Sequence, residues 1–412
     1  MKYNVFFITA EGVSLNYGIG SYREALTSQL ASGDNDMTVF DITIKSTTIQ
    51  EVTSVVSGNI TRILIPAPHN PHSNDRAIST EYAWAIICIL QDYLTDPDVI
   101  NIFHLNSVLE TNIARVVKQQ AGLNKVVYTM HLSLWASFYQ GDMDKFMFEW
   151  QQREQLSNSS IESILEETEL CSVVDQIIFL NPATQKIVSR IYEIPDNKSV
   201  FIPNGYPSAA DDHLHNLHAL RQELQIPDER KILLYVGRLS WYKGLDELLR
   251  AFKILWESRP DTHLVLVGGD DIDQFKEYVT GIEGSVTFTG RIDRQKVAAL
   301  YKLADLGVFP SLREESSYVI LEMMSHGLPL VVNNISAFEH MLQHNLSACK
   351  INHEGMNKDE MIVAWAESML YLLNNPEWAN QLGQQAAYKA SNYFTSAIMA
   401  DKTRRVYIDS VS

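Results

Sequence analysis

Positive charge is in short supply: 33 lysines and arginines stand against 50 aspartates and glutamates in 412 residues, a formal net charge of -17. The deficit is general, since residues 1–205 alone hold 13 basic and 23 acidic side chains. Such a chain lacks the basic footprint of a nucleic-acid binder, and its charge argues against docking on an anionic membrane. Cysteine is scarcer still. Cys88, Cys171 and Cys349 are scattered, odd in number and far from any Cys-x2-Cys spacing. That pattern excludes a disulfide framework or a zinc module and points to a reduced, cytoplasmic compartment. Long apolar runs are missing too. The longest apolar helical stretch, residues 83–90, is too short to span a bilayer, so no transmembrane segment is expected. The apolar run at residues 5–8 reads as a strand, not as the core of a signal peptide.

What the chain does have is rhythm. A 46% hydrophobic and 20% charged composition is that of a folded protein, and the length exceeds one ordinary core, so two domains of roughly 200 residues are expected. Short apolar runs at 3–8, 38–41, 62–65, 100–104, 126–130 and 176–180 alternate with longer helical patterns. After a Pro/Ser/Asp/His-rich stretch at 206–216 the rhythm restarts, with runs at 231–236, 263–267, 286–288, 306–309 and 330–332. Helical patterns at 246–256, 294–304 and 318–326 lie between them. The fold class is therefore α/β, with two facing doubly wound parallel-sheet, Rossmann-like domains and ligands at the carboxyl ends of the strands. The expected boundaries are 1–206, 207–391 and a terminal helix, 392–412, packing back on the first domain. Residues 138–171, polar, charged and helical, read as an insertion: a lid or an acceptor-side element.

The most informative segment runs from Glu314 to Glu322, an eight-residue step between carboxylates. It follows an apolar strand and enters a helix, so Glu314 falls in the loop and Glu322 a turn or more inside the helix. The N–H groups around Ser317, Tyr318 and Val319 then lie at a helix N-terminus, where orphan donors and the helix dipole favour an anion. Two fixed hydroxyl acceptors flanking a diphosphate cradle suit a nucleotide-sugar. Upstream, Gly237, Arg238, Lys243 and Gly244 also follow a strand and open a helix. Arg238 offers a forked donor set for phosphate oxygens and Lys243 a mobile point charge; alone, the loop reads equally as a solvated turn with two surface cations. A glycosidase acid/base pair is a further reading of the two glutamates, but the cations and helix-start amides have no job in simple hydrolysis.

The first half speaks less clearly. Gly18 and Gly20 form a shortened glycine loop before a helix at 22–30; it fits either a phosphate-facing turn or merely a tight one, and it lacks the third glycine of a dinucleotide fingerprint. His131 ends a strand, where a cleft-lining residue belongs; it would hydrogen-bond a sugar hydroxyl when neutral or steady phosphate charge when protonated, or simply be satisfied locally. His104 holds a similar strand end. Asp-x-Asp pairs begin at Asp34, Asp96, Asp142 and Asp271, all in polar segments where such residues cap helices or stay solvated. With Arg238 and Lys243 available to neutralise a diphosphate, no metal and no other cofactor is expected.

Taken together these segments resemble glycosyltransferase family four, the retaining nucleotide-sugar enzymes of GT-B architecture. The resemblance covers most of the second half: the Gly237–Gly244 loop, Phe288 to Arg291, and Phe309 to Pro329. It is thinner in the first, through Gly18, Gly20, His131 and the Ile202 to Gly205 run. It implies that Glu314 holds donor-sugar hydroxyls and Glu322 the ribose, and that Arg238 and Lys243 stabilise the leaving diphosphate with the amides around Ser317, Tyr318 and Val319. It further implies that the backbone of Arg291 and Ile292 meets the base, UDP or GDP being the nucleotide, and that His131 meets a sugar hydroxyl. The expected partners are a nucleoside-diphosphate-sugar donor and an acceptor saccharide, small molecule or peptide. Glu315, Ser316 and Ser317 stand where the family commonly has glycines, and the turn starting at Gly268 also departs from its usual form. Two rivals remain: a sugar-nucleotide epimerase of the same architecture and a catalytically silent carbohydrate-binding partner.

Overall fold

The computed structural model describes all residues except 13–17, 34–35, 69–77, 121, 123, 156–157, 208–215, 270–271 and 411–412. Two compact units divide the chain: residues 1–205 with 396–412, and residues 206–395.

In the first unit the strands are β1 (Lys2–Ala10), β2 (Met37–Ser46), β3 (Thr53–Ser57), β4 (Ile60–Pro66), β5 (Val99–Leu105), β6 (Asn124–Met130), β7 (Gln176–Phe179) and β8 (Ser199–Phe201). Their order across the sheet is β3-β4-β2-β1-β5-β6-β7-β8. Every pairing is parallel except the β3–β4 hairpin. β5 is buried at all seven positions, as befits a central parallel strand covered on both faces. β3 is its opposite, an edge strand exposed throughout, with Val55 and Val56 facing water. The helices are α1 (Gly18–Ser32), α2 (Thr80–Leu90), α3 (Thr111–Gln119), α4 (Leu134–Phe138), α5 (Met143–Gln151), α6 (Ser159–Val173) and α7 (Pro182–Ile191).

The stretch 138–171 is not a lid. Tyr139, Phe146, Trp150, Ile161, Ile164 and Leu170 belong to the unit's main hydrophobic core. The rings of Trp135, Tyr139 and Trp150 all lie within 5.6 Å of Phe146. The stretch therefore supplies the crossover between β6 and β7, with α6 as its helix. Most of its charged residues lie on the outer face, Glu167 being a buried exception, and that surface made the segment look detachable.

The second unit is built from β9 (Lys231–Val236), β10 (Thr262–Val267), β11 (Val286–Gly290), β12 (Leu306–Phe309), β13 (Leu330–Asn333) and β14 (Cys349–Ile351), all parallel, in the order β11-β10-β9-β12-β13-β14. Its helices are α8 (Leu217–Glu223), α9 (Leu245–Ser258), α10 (Arg294–Leu303), α11 (Tyr318–Ser325), α12 (Ser336–Glu339), α13 (Lys358–Asn374) and α14 (Pro376–Tyr393). Contact between layers is tight where glycine permits it. A Cβ on Gly307 would sit 2.9 Å from the Met323 sulfur, and one on Gly383 would sit 2.1 Å from the Gly327 carbonyl oxygen, so α11 and α14 approach at backbone range. The chain ends in α15 (Ser396–Asp409), which belongs to the first unit. Tyr407 on α15 hydrogen-bonds His104 Nδ1, and Arg404 pairs with Asp36. Among the described residues no helix is long and apolar enough to cross a membrane.

Candidate functional site

Strand order decides where to look. In the second unit the chain moves outward in one direction through β9, β10 and β11, then jumps back to the far side of β9 as β12. Such a reversal leaves the loops after β9 and β12 diverging at their carboxyl ends, the crevice where open α/β sheets bind ligands. Those loops carry Arg238 and Lys243 on one side and Glu314 on the other.

The two loops are locked together by backbone. Gly244 has φ +69°, and a Cβ there would lie 2.6 Å from the Pro310 carbonyl oxygen, so only glycine fits. The same carbonyl accepts a 2.6 Å hydrogen bond from Asn333 Nδ2, while Trp365 Nε1 donates to Asn333 Oδ1 at 3.1 Å. Asn333 and Trp365 are fully buried, which makes this a rigid floor. On it Lys243 Nζ forms an ion pair with Glu314, side chains 20% and 11% exposed, with Nζ 6.0 Å from the centre of the Phe309 ring. Arg238 is exposed beside them. Its carbonyl accepts from the Tyr235 hydroxyl at 2.7 Å, which fixes the loop's backbone.

Helix α11 starts where the motif requires. Ser317 is its N-cap, and its side chain accepts from Ile320 N, so the first-turn N–H groups of Tyr318 and Val319 point out along the axis. The Ser316 hydroxyl is buried and has no hydrogen-bond partner among the described residues. Glu322, in the second turn, accepts a 2.6 Å hydrogen bond from the buried Tyr301 hydroxyl. The loops after β10 and β11 join the same rim: Gly237 N donates to Val267 O at 2.9 Å and Gly268 N to Gly290 O at 3.1 Å. The Arg291 side chain runs across Gly269, where a Cβ would meet its Nε at 2.8 Å. Arg291 and the half-buried Ile292 thus follow the turn at Gly290. Lys243 and Glu314 are in contact, and both flank the start of α11; Arg238, Arg291, Ile292 and Glu322 lie on the loops and helix around that point.

In the first unit His131 follows β6, and its Nε2 meets Asn106 Oδ1 at 3.1 Å. Asn106 Nδ2 donates to the Ile8 carbonyl at 2.9 Å, so the amide oxygen faces the histidine and Nε2 must be the donor. Nδ1 is then an acceptor. Burial pushes the His131 imidazole down to about 3, which keeps it neutral. His104 is a core residue instead, bonded to Tyr407 and, at 2.7 Å, to Thr129, and likewise pushed down to about 3, by burial first and the neighbouring His131 second. Gly18 and Gly20 do not form a loop: both lie in the first turn of α1, because the helix begins four residues earlier than the periodicity suggested. A Cβ on Gly18 would meet nothing within 4 Å among the described residues.

The Asp-x-Asp pairs are engaged locally. Asp96 accepts from Asp98 N, Asp142 caps α5, and Asp273 pairs with Lys276 at 2.7 Å. Asp34 and Asp271 fall outside the described residues. Asn106, Ser316 and Tyr301 went unforeseen. Asn106 had a signal, a polar residue directly after a largely apolar strand; Tyr301 had none, since its partner is 21 residues away on another helix.

Residues 218–389 match the model of a family described as glycosyl transferases group 1. An uncharacterized glycosyltransferase of Methanocaldococcus jannaschii is 31% identical over 178 residues, 42% of this chain and 45% of that protein. The chain thus matches less than half of that relative's length. Among solved structures, a sucrose-phosphate synthase from Thermosynechococcus elongatus aligns over 99% of both chains, with a TM-score of 0.74 and 21% identity. An Anabaena protein in complex with UDP and glucose aligns over 98% of this chain and 99% of its own, with a TM-score of 0.70 and 15% identity. The match over residues 218–389 agrees with the glycosyltransferase family read from the second-half motifs, and the GT-B fold read from the strand rhythm stands.

Proposed function

We propose that this chain, whose residues 218–389 belong to the glycosyl transferases of group 1, moves a hexose-type sugar from a nucleoside-diphosphate donor to an acceptor hydroxyl, with retention and without a metal ion. The observation that carries this reading is the Lys243–Glu314 pair, drawn from two different loops across the switch point beside the start of α11. A cation, a hydroxyl-accepting carboxylate and helix-start amides held together on a rigid floor are what a sugar diphosphate needs. Lys243 and Arg238 neutralise the departing diphosphate, with the N–H groups of Tyr318 and Val319 and the orphaned hydroxyl of Ser316 as further donors. Glu314 orients sugar hydroxyls, Glu322 accepts from the ribose, and the backbone of Arg291 and Ile292 borders the base. UDP or GDP is the nucleotide; the Anabaena neighbour holds UDP.

His131, neutral, accepts a hydroxyl through Nδ1 and carries no charge to the leaving group. The first turn of α1, with Gly18 and Gly20, carries N–H groups suited to a phosphate. The acceptor is a saccharide, a small molecule or a peptide. The reaction belongs to the cytoplasm, where the free thiols of Cys88, Cys171 and Cys349 persist. Intact charges at all four donor-site positions speak against a silent binding partner, and no feature of the geometry favours epimerisation over transfer.

The test is donor consumption by Lys243→Ala, assayed with UDP- and GDP-hexoses. Loss of a preorganised charge at the leaving group is expected to lower kcat by about a thousandfold with melting behaviour unchanged. Near-normal turnover would remove the clamp from the mechanism.

A further inference from the structure

A carboxylate that reads a ribose must present its oxygens in a fixed direction, and a glutamate side chain on a helix surface has three rotatable bonds with which to lose it. Glu322 is held. The Tyr301 hydroxyl, on α10, donates to Glu322 Oε2 at 2.6 Å. Tyr301 itself is 2% exposed and cannot swing away. Its ring contacts His326, centroids 5.1 Å apart, and His326 Nδ1 lies 2.7 Å from the backbone carbonyl of Glu322. The tyrosine therefore grips the carboxylate and braces the same helical turn that carries it. Burial and the adjoining carboxylate push the Tyr301 hydroxyl well above its ordinary range, so the proton stays on the phenol and the direction of the bond is settled. Glu322 is the acceptor in that bond and keeps acceptor capacity for a ligand hydroxyl, since an ionised carboxylate offers about four lone-pair sites.

We infer that Tyr301 is a positioning residue that sets the plane of the Glu322 carboxylate, and that the pair makes this site selective for ribonucleotides over 2′-deoxyribonucleotides. The inference rests on the donor-site reading of Glu322 given above. It assigns no new contact to the ligand. It places the discrimination in a hydrogen bond behind the contact, where removing one oxygen atom leaves the ring packing intact.

The experiment is calorimetric titration of the full chain with UDP, GDP and their 2′-deoxy counterparts, for wild type, Tyr301→Phe, Glu322→Gln and the double variant. Wild type should bind its ribonucleotide about tenfold more tightly than the deoxy form, the usual worth of a charge-assisted hydrogen bond. Tyr301→Phe should weaken ribonucleotide binding several-fold, leave deoxynucleotide binding unchanged and so shrink the ratio. In the Glu322→Gln background the same change should do nothing further to the ratio. A tyrosine that is only a core residue would weaken both nucleotides alike, in both backgrounds. An undiminished ratio in Tyr301→Phe overturns this inference and leaves the donor-site reading standing. Equal binding of ribo and deoxy forms by wild type, or no nucleotide binding at all, removes the reading of Glu322 itself and this inference with it.

Discussion

The two sheets share a plan and differ in charge. Leaving aside the β3 hairpin, the first unit runs β4-β2-β1-β5-β6-β7-β8, and the second runs β11-β10-β9-β12-β13-β14, so each reverses direction beside its first strand. At the reversal in the second unit stand Lys243, Glu314 and the exposed Arg238, charged groups on loops pinned by Pro310, Asn333 and Trp365. At the reversal in the first unit stand Asn106, His131 and Glu110. Burial drives His131 down to about 3 and Glu110 up to about 8, so at neutral pH these two groups are largely uncharged, and Glu11, just after β1, is turned onto Thr47. Topology supplies a crevice in both cases, and the loop side chains decide what it is for. A charged crevice is suited to gripping an anion, and a neutral polar one to matching hydroxyl groups.

That contrast can be broken at its strongest point by Gly244→Ala. The added methyl would sit 2.6 Å from the Pro310 carbonyl in a left-handed backbone, so the loops bearing Lys243 and Glu314 must separate. A cost of about 2 to 3 kcal/mol to the second unit is expected, together with loss of nucleotide binding. Denaturant unfolding and titration with UDP or GDP check both, and an alanine variant that melts and binds like wild type would show that the loops are not held as described.

A smaller effect sharpens the other side. Glu110 is fully buried, with Oε2 accepting from the N–H groups of Asn106 at 2.7 Å and Ser107 at 3.2 Å. Burial outweighs those bonds and raises it from its ordinary 4.5 to about 8. A proton held in the folded state and released in the unfolded state stabilises fully below 4.5 and is lost as pH rises to 8. Glu110→Gln keeps the shape and abolishes the titration. Its melting temperature should therefore gain on wild type steadily between pH 5 and 8, by a few degrees. Parallel melting curves across that window would mean the carboxyl is ionised in place, and the first crevice would not be neutral.

How much of this was legible follows the same division. Strands buried on both faces, such as Leu306–Phe309, announce themselves as unbroken apolar runs. The β3 strand, exposed at every position, offers no such signal, and β14 is only three residues long. The stretch 138–171 misled because its anchors, Tyr139, Phe146 and Trp150, are few, large and widely spaced among charges, so bulk polarity hid a core contribution. Gly18 and Gly20 were read as a loop because glycine is a poor helix former; the first turn of a helix is where that penalty is smallest. Loop chemistry could be read wherever neighbours in sequence share a site, as in the Glu314 to Glu322 segment. Pairs assembled by the fold, Tyr301 with Glu322 and Asn106 with His131, are invisible until the strands and helices are set side by side.

The claim that the second unit grips a nucleoside diphosphate at its switch point is tested most directly by a crystal structure with UDP or GDP bound. The diphosphate is expected at the start of α11, its oxygens within hydrogen-bond distance of Lys243 Nζ, with the ribose hydroxyls on Glu322. Nucleotide bound elsewhere, with the Lys243–Glu314 pair undisturbed, would contradict it.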